Sequence, residues 1–392
     1  MRPLLCFLIL LASTAAFARP PALLHLYTLP NAALLVVDTD GRERRAYHPD
    51  RPLIPASTLK LLTALRALRA WGPDHRFVTD FLHGTDGRLW VRGYGDPWLT
   101  SEELDAVVAD LQAAGITRIR GLGVDDSFFA GPLTVDGQTE TDNPYDAALG
   151  ALAVNFNTLH VEKRGGRLDS AEPQTPLTPL ARRLARRLPS GRHRINIGHR
   201  TDAAQYFAEV LRAKLQRQGI ETDGDIVHAQ VPASARLVVR HRNRHPLDRI
   251  LAGMLKYSNN FIANQLFLLL GAERYGPPAT LAKGRRAAEA FIHARFRWRD
   301  WRVVEGAGLS RRNRLSARQL VEVLQRLRPY AHLLPQRSPG IRAKTGTLKG
   351  VSSYAGYIGE GRQQKIFALI INQAVPYDLR LRVAEALRDR EG

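Results

Sequence analysis

Apolar residues recur along this chain in two periods, and the changes between them outline its elements. Ala32–Asp38 reads Ala-Ala-Leu-Leu-Val-Val-Asp, an apolar strand, and the turn Asp38-Thr39-Asp40-Gly41 lets the segment through Tyr47 pair back on it as a hairpin. Pro52-Leu53-Ile54-Pro55-Ala56 is extended, because a residue before proline avoids the helical region. At Ser57 the period becomes helical: Leu61, Leu62, Leu65 and Leu68 share a face, and Gly72-Pro73 stops the helix.

From about Asp74 the texture changes to short strands and turns. Arg88-Leu89-Trp90-Val91 leads to Gly93-Tyr94-Gly95-Asp96-Pro97, and a helix over 101–114 follows with Ser101 as its cap and Gly115 as its end. Residues 116–124 and 155–161 read as further strands, so this region resembles an insert. A basic amphipathic stretch over 177–188 carries Leu180, Leu184 and Leu188 opposite Arg182, Arg183, Arg186 and Arg187 and suits either an anionic surface or a solvated face. A helix over 201–218 and a long helical pattern over 247–270 come next. The chain ends in strands over 340–359 and 365–372 and a helix over 379–388.

Composition is that of a globular chain with room for a large core: 392 residues, 44% hydrophobic and 24% charged. The net charge of +20 is unusual, and only eight of the 57 basic residues are lysine. Such a field suits nucleic acid, anionic lipid or an anionic polymer, or simply an arginine-rich solvated surface. The N-terminus narrows the choice. Arg2, the apolar run over 4–12 and Ala16-Phe17-Ala18 make a signal peptide over residues 1–18, too short to span a membrane. Cys6, the single cysteine, lies inside it. An exported, periplasmic protein follows, which argues against nucleic acid as the partner.

There is no G-x-S-x-G elbow, no H-E-x-x-H, no cysteine pair, no P-loop and no G-x-G-x-x-G after a strand, so metal, nucleotide and α/β-hydrolase chemistry lose their main signatures. Three short motifs remain: Ser57-Thr58-Leu59-Lys60, Ser258-Asn259-Asn260 and Lys344-Thr345-Gly346. By composition, S-x-x-K is expected about 0.3 times, S-x-N about 0.4 times and K-T-G roughly 0.03 times, so only the set is informative. Ser57 and Lys60 stand one helical turn apart on one face, where a lysine of lowered pKa takes the serine proton. The strand around Lys344 offers a cation and hydroxyls to a carboxylate, and Gly346 lets a substrate backbone lie close. The amides of Ser57 and Thr347 are candidates for an oxyanion hole, and Ser258 with Asn260 for a proton relay. Singly, each motif also fits helix capping or an edge strand blunted by lysine.

Together the motifs resemble the penicillin-recognising serine enzymes, and within them the class C low-molecular-mass penicillin-binding proteins, the D-Ala-D-Ala carboxypeptidase/endopeptidase family. Pro55-Ala56-Ser57-Thr58-Leu59-Lys60, Gly93-Tyr94-Gly95-Asp96-Pro97, Val124-Asp125-Asp126-Ser127-Phe128-Phe129 and Asn155-Phe156-Asn157 carry the likeness. So do Tyr257-Ser258-Asn259-Asn260, Gly306-Ala307-Gly308-Leu309-Ser310-Arg311 and Lys344-Thr345-Gly346-Thr347. Ser57 and Ser258 lie 201 residues apart, as in a family that inserts domains between the first two motifs.

The resemblance implies an α/β (α+β) fold: an antiparallel penicillin-binding/β-lactamase-like sheet flanked by helices, with a smaller inserted α/β domain. Residues 19–75 with 233–392 would form the catalytic domain and 76–232 the insert, split near 155. Ser57 would be the acylated nucleophile, Lys60 its base, and Ser258, Asn260 and Lys344 the rest of the proton network. Lys344, Thr345 and Thr347, along Gly346, would hold the terminal carboxylate. Asp125, Phe129 and Arg311 would lie near the diaminopimelate side chain. Peptidoglycan stem peptides would be the substrate, β-lactams covalent inhibitors, and neither metal nor organic cofactor is implied; the basic surface suits weak association with an anionic wall or membrane. Some positions depart from the family: Asn264 replaces a usual Glu, Lys349 a neutral residue, and the stretch over 158–232 is short. Tyr257-Ser258-Asn259 also reads as the Y-x-N of class C β-lactamases and related esterases. A β-lactamase or esterase, or a non-catalytic wall-binding protein, therefore stands as the alternative.

Overall fold

The computed structural model describes residues 21–389 apart from 132 and 199, so the expected signal peptide and Cys6 lie outside the described residues. Among the described residues no helix is long and apolar enough to cross a membrane.

A six-stranded antiparallel sheet forms the frame, in the order Gln336–Ser338, Ile341–Leu348, Val351–Ile358, Lys365–Ile371, Ala32–Asp38, Glu43–Tyr47. The two chain ends meet at its centre, where Ala32 pairs with Ile371 and Asp38 with Lys365. These strands are apolar without alternation because both faces are covered. Ala33, Leu35, Val37, Ile366, Ala368 and Ile370 face the main core, built with helices Lys60–Trp71, Leu247–Tyr257, Asn260–Tyr275 and Ala317–Leu327. Ala32, Leu34, Val36, Phe367, Leu369 and Ile371 face a second core under helices Pro21–Tyr27 and Leu379–Asp389. Each fully buried Leu, Ile or Phe contributes roughly 1.5–3 kcal/mol, so the sheet that carries residues 341–348 is a rigid base.

Between the Lys60–Trp71 helix and the Leu247–Tyr257 helix the chain builds further sheets. A five-stranded mixed sheet runs Ile226–His228, Leu122–Asp125, Leu89–Gly93, Val78–His83, Arg236–Arg242. The entering strand Val78–His83 and the leaving strand Arg236–Arg242 are neighbours, and the latter lies beyond position 232, where the resemblance ends the insert. A three-stranded sheet, Arg167–Ser170, Thr158–Arg164 and Gly191–Asn196, shares one core with it: Phe81, Val91 and Val124 cluster with Leu159, Val161, Phe207 and Leu211 across position 155.

Three local expectations change. The pattern over 247–270 is two helices, broken where Ser258 adopts φ +55 and Asn259 caps the next helix by accepting from Ile262 N at 3.0 Å. Thr100, not Ser101, occupies the cap position of helix Ser101–Ala113, and Ser101 Oγ instead meets Thr175 Oγ1 at 2.7 Å. In the basic stretch only Pro179–Ala185 is helical, and Leu180 is buried in the insert core, so its apolar side faces the protein and not an outside surface.

Candidate active site

Ser57 sits in a 3-10 turn, Ala56–Leu59, that runs straight into the Lys60–Trp71 helix. The turn is tightly wound: Ala56 is left-handed at φ +47, a conformation that costs a non-glycine residue about 1 kcal/mol or more. Neighbours hold it there. Pro55 O accepts from Thr58 Oγ1 at 2.7 Å and from Ser353 Oγ at 2.6 Å. Gly346 presses on the turn from the sheet, where a Cβ would lie 2.8 Å from Ser57 N and would collide with Ser353 Oγ. Gly308, at φ +85, backs against Ala56 O so closely that no side chain fits. Both glycines are thus required by backbone approach to the serine turn.

Two fully buried lysines flank the serine. Lys60 Nζ donates to Ser57 Oγ at 3.1 Å, Asn260 Oδ1 at 2.7 Å and Ala307 O at 2.7 Å, the full complement of an ammonium. Burial pulls its pKa from 10.5 to about 7, against the opposing pull of the Glu305 carboxylate. Lys344 Nζ donates to Ser258 Oγ at 2.9 Å and Thr345 O at 2.6 Å. Burial takes it down to about 6, and the positive charges of Lys60, Arg337 and Arg380 push the same way. The left-handed turn at Ser258 brings its hydroxyl to Lys344, and the helix restarting at Asn260 brings that amide to Lys60. The cluster holds a hydroxyl beside an amine that is neutral in about half of the molecules at pH 7, the chemistry of an activated nucleophile.

Two supporting residues escaped the sequence reading. Glu305, 1% exposed, accepts from the amides of Ala307 (2.7 Å), Gly308 (2.8 Å) and Ser310 (3.3 Å) and from Asn313 Nδ2 (2.8 Å). It folds residues 306–310 so that Ala307 O reaches Lys60. Asn264 Oδ1, accepting from Gly306 N at 2.7 Å, and Thr63 Oγ1, donating to Gly306 O at 2.7 Å, pin the same loop. Arg380, buried on the terminal helix, donates to Gly346 O at 2.8 Å and Thr347 Oγ1 at 2.7 Å. Its signal in the sequence is an arginine one turn before Val383 and Ala384, on the face that must be apolar.

The structure gathers Ser57, Lys60, Ser258, Asn260, Lys344 and Gly346 into one cluster. Thr345 is half-buried beside it, and Thr347, exposed on the same strand, has its hydroxyl engaged by Arg380. Arg311 reaches the turn after that strand, both Nη atoms donating to Lys349 O at 3.1 Å. Asp125 and Phe129 are not brought in. The Asp125 carboxylate is buried in the insert, accepting from Ser127 N and Oγ, Val231 N and Arg92 Nε. Phe129 is 1% exposed, in the main core and bridged to Ala279. Both side chains are thus buried in the scaffold, against the expectation that they lie near the diaminopimelate side chain. The surface next to the cluster is a recess of about 130 Å³ where Tyr145, Phe156, Arg194, Tyr257 and Asn260 meet.

A family model described as the D-Ala-D-Ala carboxypeptidase 3 (S13) family matches residues 28–176 and 188–335, stretches that hold Ser57, Lys60, Ser258 and Asn260, with Lys344 past the second. The chain is 27% identical over 440 residues to a D-alanyl-D-alanine carboxypeptidase of Actinomadura sp. (strain R39), covering 91% of this chain and 80% of that one. It is 27% identical over 408 residues to the D-alanyl-D-alanine carboxypeptidase DacB of Haemophilus influenzae, covering 87% and 85%. In fold it is similar to the crystal structure of penicillin binding protein 4 (dacB) from Haemophilus influenzae, with a TM-score of 0.76, 23% identity and coverage of 94% and 98%. A predatory peptidoglycan endopeptidase from Bdellovibrio bacteriovorus shares the fold at a TM-score of 0.56 and 16% identity, covering 92% of each chain.

Proposed function

The chain belongs to the D-Ala-D-Ala carboxypeptidase 3 (S13) family, and from that premise we propose that it is an exported, periplasmic serine carboxypeptidase that removes the terminal D-Ala of peptidoglycan stem peptides through an acyl-enzyme on Ser57. The observation that carries this is Lys60, fully buried, 3.1 Å from Ser57 Oγ and with its pKa brought to about 7 by that burial.

The steps follow from where the protons sit. Neutral Lys60 takes the Ser57 proton as Oγ attacks the D-Ala-D-Ala carbonyl, and the amides of Ser57 and Thr347 receive the oxyanion. The terminal carboxylate lies against Thr345, Thr347 and the Lys344 ammonium, whose proton affinity rises when that anion arrives. As the C–N bond breaks, Ser258 gives its proton to the departing nitrogen and regains one from Lys344. Water then attacks the ester; its proton returns through Ser258 to Lys344, and Lys60 hands its own back to Ser57 Oγ. Protons balance over the cycle, and the enzyme starts and ends with one proton shared between two lysines. A cross-linked peptide passing through the same steps yields endopeptidase activity, and a β-lactam stops at the ester.

Labelling with a fluorescent penicillin, beside Ser57→Ala, tests the reading. A stable adduct on the parent and none on the variant is expected. Rapid release of hydrolysed penicillin points to a β-lactamase of the same fold, and an intact penicillin with no adduct points to a wall-binding protein.

A further inference from the structure

Away from the serine cluster, helices Lys60–Trp71, Asn260–Tyr275 and Leu281–Arg295 line a half-open cavity of about 360 Å³. Its walls are apolar and small, with Leu270, Ala287, Ala290 and Phe291, while Arg69, Arg274 and Arg295 stand exposed around it with Glu273. Arg66 also lines it and is only 3% exposed.

The guanidinium of Arg66 is poorly matched by the protein alone. Its hydrogen bond is a long one, Nη2 to Gly284 O at 3.5 Å, and beneath it lies the Phe267 ring, 5.3 Å to the centroid. Among the described residues no carboxylate pairs with it, and burial brings its pKa down to about 9. An isolated buried cation is strongly unfavourable, and a guanidinium fork is suited to two oxygens of one carboxylate or phosphate. The three arginines at the mouth add a positive field that draws an anion in. The volume is more than twice the ~150 Å³ that accommodates a benzene ring and falls in the range of small-molecule sites.

We propose that this cavity binds an amphiphile with a single carboxylate or phosphate head seated on Arg66 and an apolar chain lying against Leu270, Ala290 and Phe291. The site is separate from the acyl chemistry: a chain that binds such a ligand but forms no penicillin adduct keeps this inference and loses the other.

Isothermal titration of the chain with decanoate, decyl phosphate and decanol tests it, the first two separating a carboxylate from a phosphate head. At least one anionic probe is expected to bind, with decanol at least about tenfold weaker. Arg66→Met is expected to weaken the anionic probe roughly 10- to 100-fold while penicillin labelling of Ser57 keeps its rate. Ala290→Phe fills the cavity, retains Arg66 and is expected to abolish binding, so it decides the matter if Arg66→Met does not fold. The inference is overturned if neither anionic probe binds up to about 1 mM, if decanol binds as well as decanoate, or if folded Arg66→Met or Ala290→Phe binds unchanged.

Discussion

The pH dependence of acylation is governed by two lysines that must carry different charges. Lys60 acts as a neutral amine and Lys344 as a cation facing a carboxylate. At pH 7 an ordinary lysine is neutral in roughly one molecule in 3,000, whereas a group at about 7 is neutral in about half. Burial of Lys60 therefore raises the competent base by about three powers of ten. Raising the pH forms the base at Lys60 but removes the cation at Lys344, which titrates near 6. The productive form, neutral Lys60 beside charged Lys344, peaks between about pH 6 and 7; because Lys60 holds the single proton more tightly, it is a minority form until an arriving carboxylate draws that proton to Lys344. The assay is the second-order rate of labelling by a fluorescent penicillin from about pH 5 to 9, read as a property of the free enzyme. We expect a bell, falling on each side toward about tenfold per pH unit. Lys344→Met removes the alkaline limb and lowers the plateau roughly 10- to 100-fold, the effect of losing one charge-assisted hydrogen bond. A flat profile, or a rate that climbs steadily toward pH 10, would show Lys60 titrating as an ordinary lysine, and its role as base would be refuted.

Further outcomes follow from the packing around the cluster. Gly346→Ala places a methyl 2.8 Å from Ser57 N and against Ser353 Oγ, so penicillin labelling should fall by about 100-fold or more, and the overpacking should also cost about 1–3 kcal/mol in thermal unfolding. Arg380→Met releases Thr347 Oγ1 and Gly346 O; KM for a D-Ala-D-Ala peptide should rise about tenfold with a smaller change in kcat, and a peptide ending in an amide should be insensitive. Asp125→Ala strands the Val231 amide and Ser127, so the insert should lose about 1–3 kcal/mol in thermal or denaturant unfolding while penicillin labelling stays unchanged. Loss of labelling in proportion to activity in that variant would place Asp125 in the cleft after all.

How far the sequence reveals this molecule depends on whether a residue acts by its own type or through something else. The strands at 32–38 and 365–371 are legible because burial on both faces leaves no polar positions to confuse the period. Ser57, Lys60 and Lys344 are legible because proton transfer restricts the residue types and their spacing within a motif. Glu305 is not, since it works through the amides of 307, 308 and 310, and no side-chain pattern records backbone donors. The break at Ser258 is hidden because Leu255, Phe261 and Ile262 continue the apolar pattern across it. Asp125 and Phe129 are illegible for the complementary reason: a matching string of residues says nothing about which way its side chains face, and here hydrogen bonds and packing turn both inward.

The two buried lysines make the site unfavourable to fold, and their titration gives the sign. Both have folded pKa values below the unfolded value near 10.5, so above about pH 7 the unfolded chain binds more protons than the folded one. Their contribution therefore stabilises with rising pH, from about 6–7 up to the unfolded value, and opposes folding most strongly below pH 6. Replacing Lys344 by Met removes one such cation, and an apolar side chain in place of a buried, unpaired charge is expected to stabilise by about 1–4 kcal/mol. The variant that loses the alkaline limb of acylation should then also unfold at a higher temperature below pH 7, with the gap narrowing as the pH rises. A protein that merely tolerates Lys344 as structure would instead lose stability with it, since Ser258 Oγ and Thr345 O would give up their partner. Burial that lowers a pKa for catalysis and burial that weakens the fold are one physical effect, and this pair of measurements on a single variant reads both of its sides.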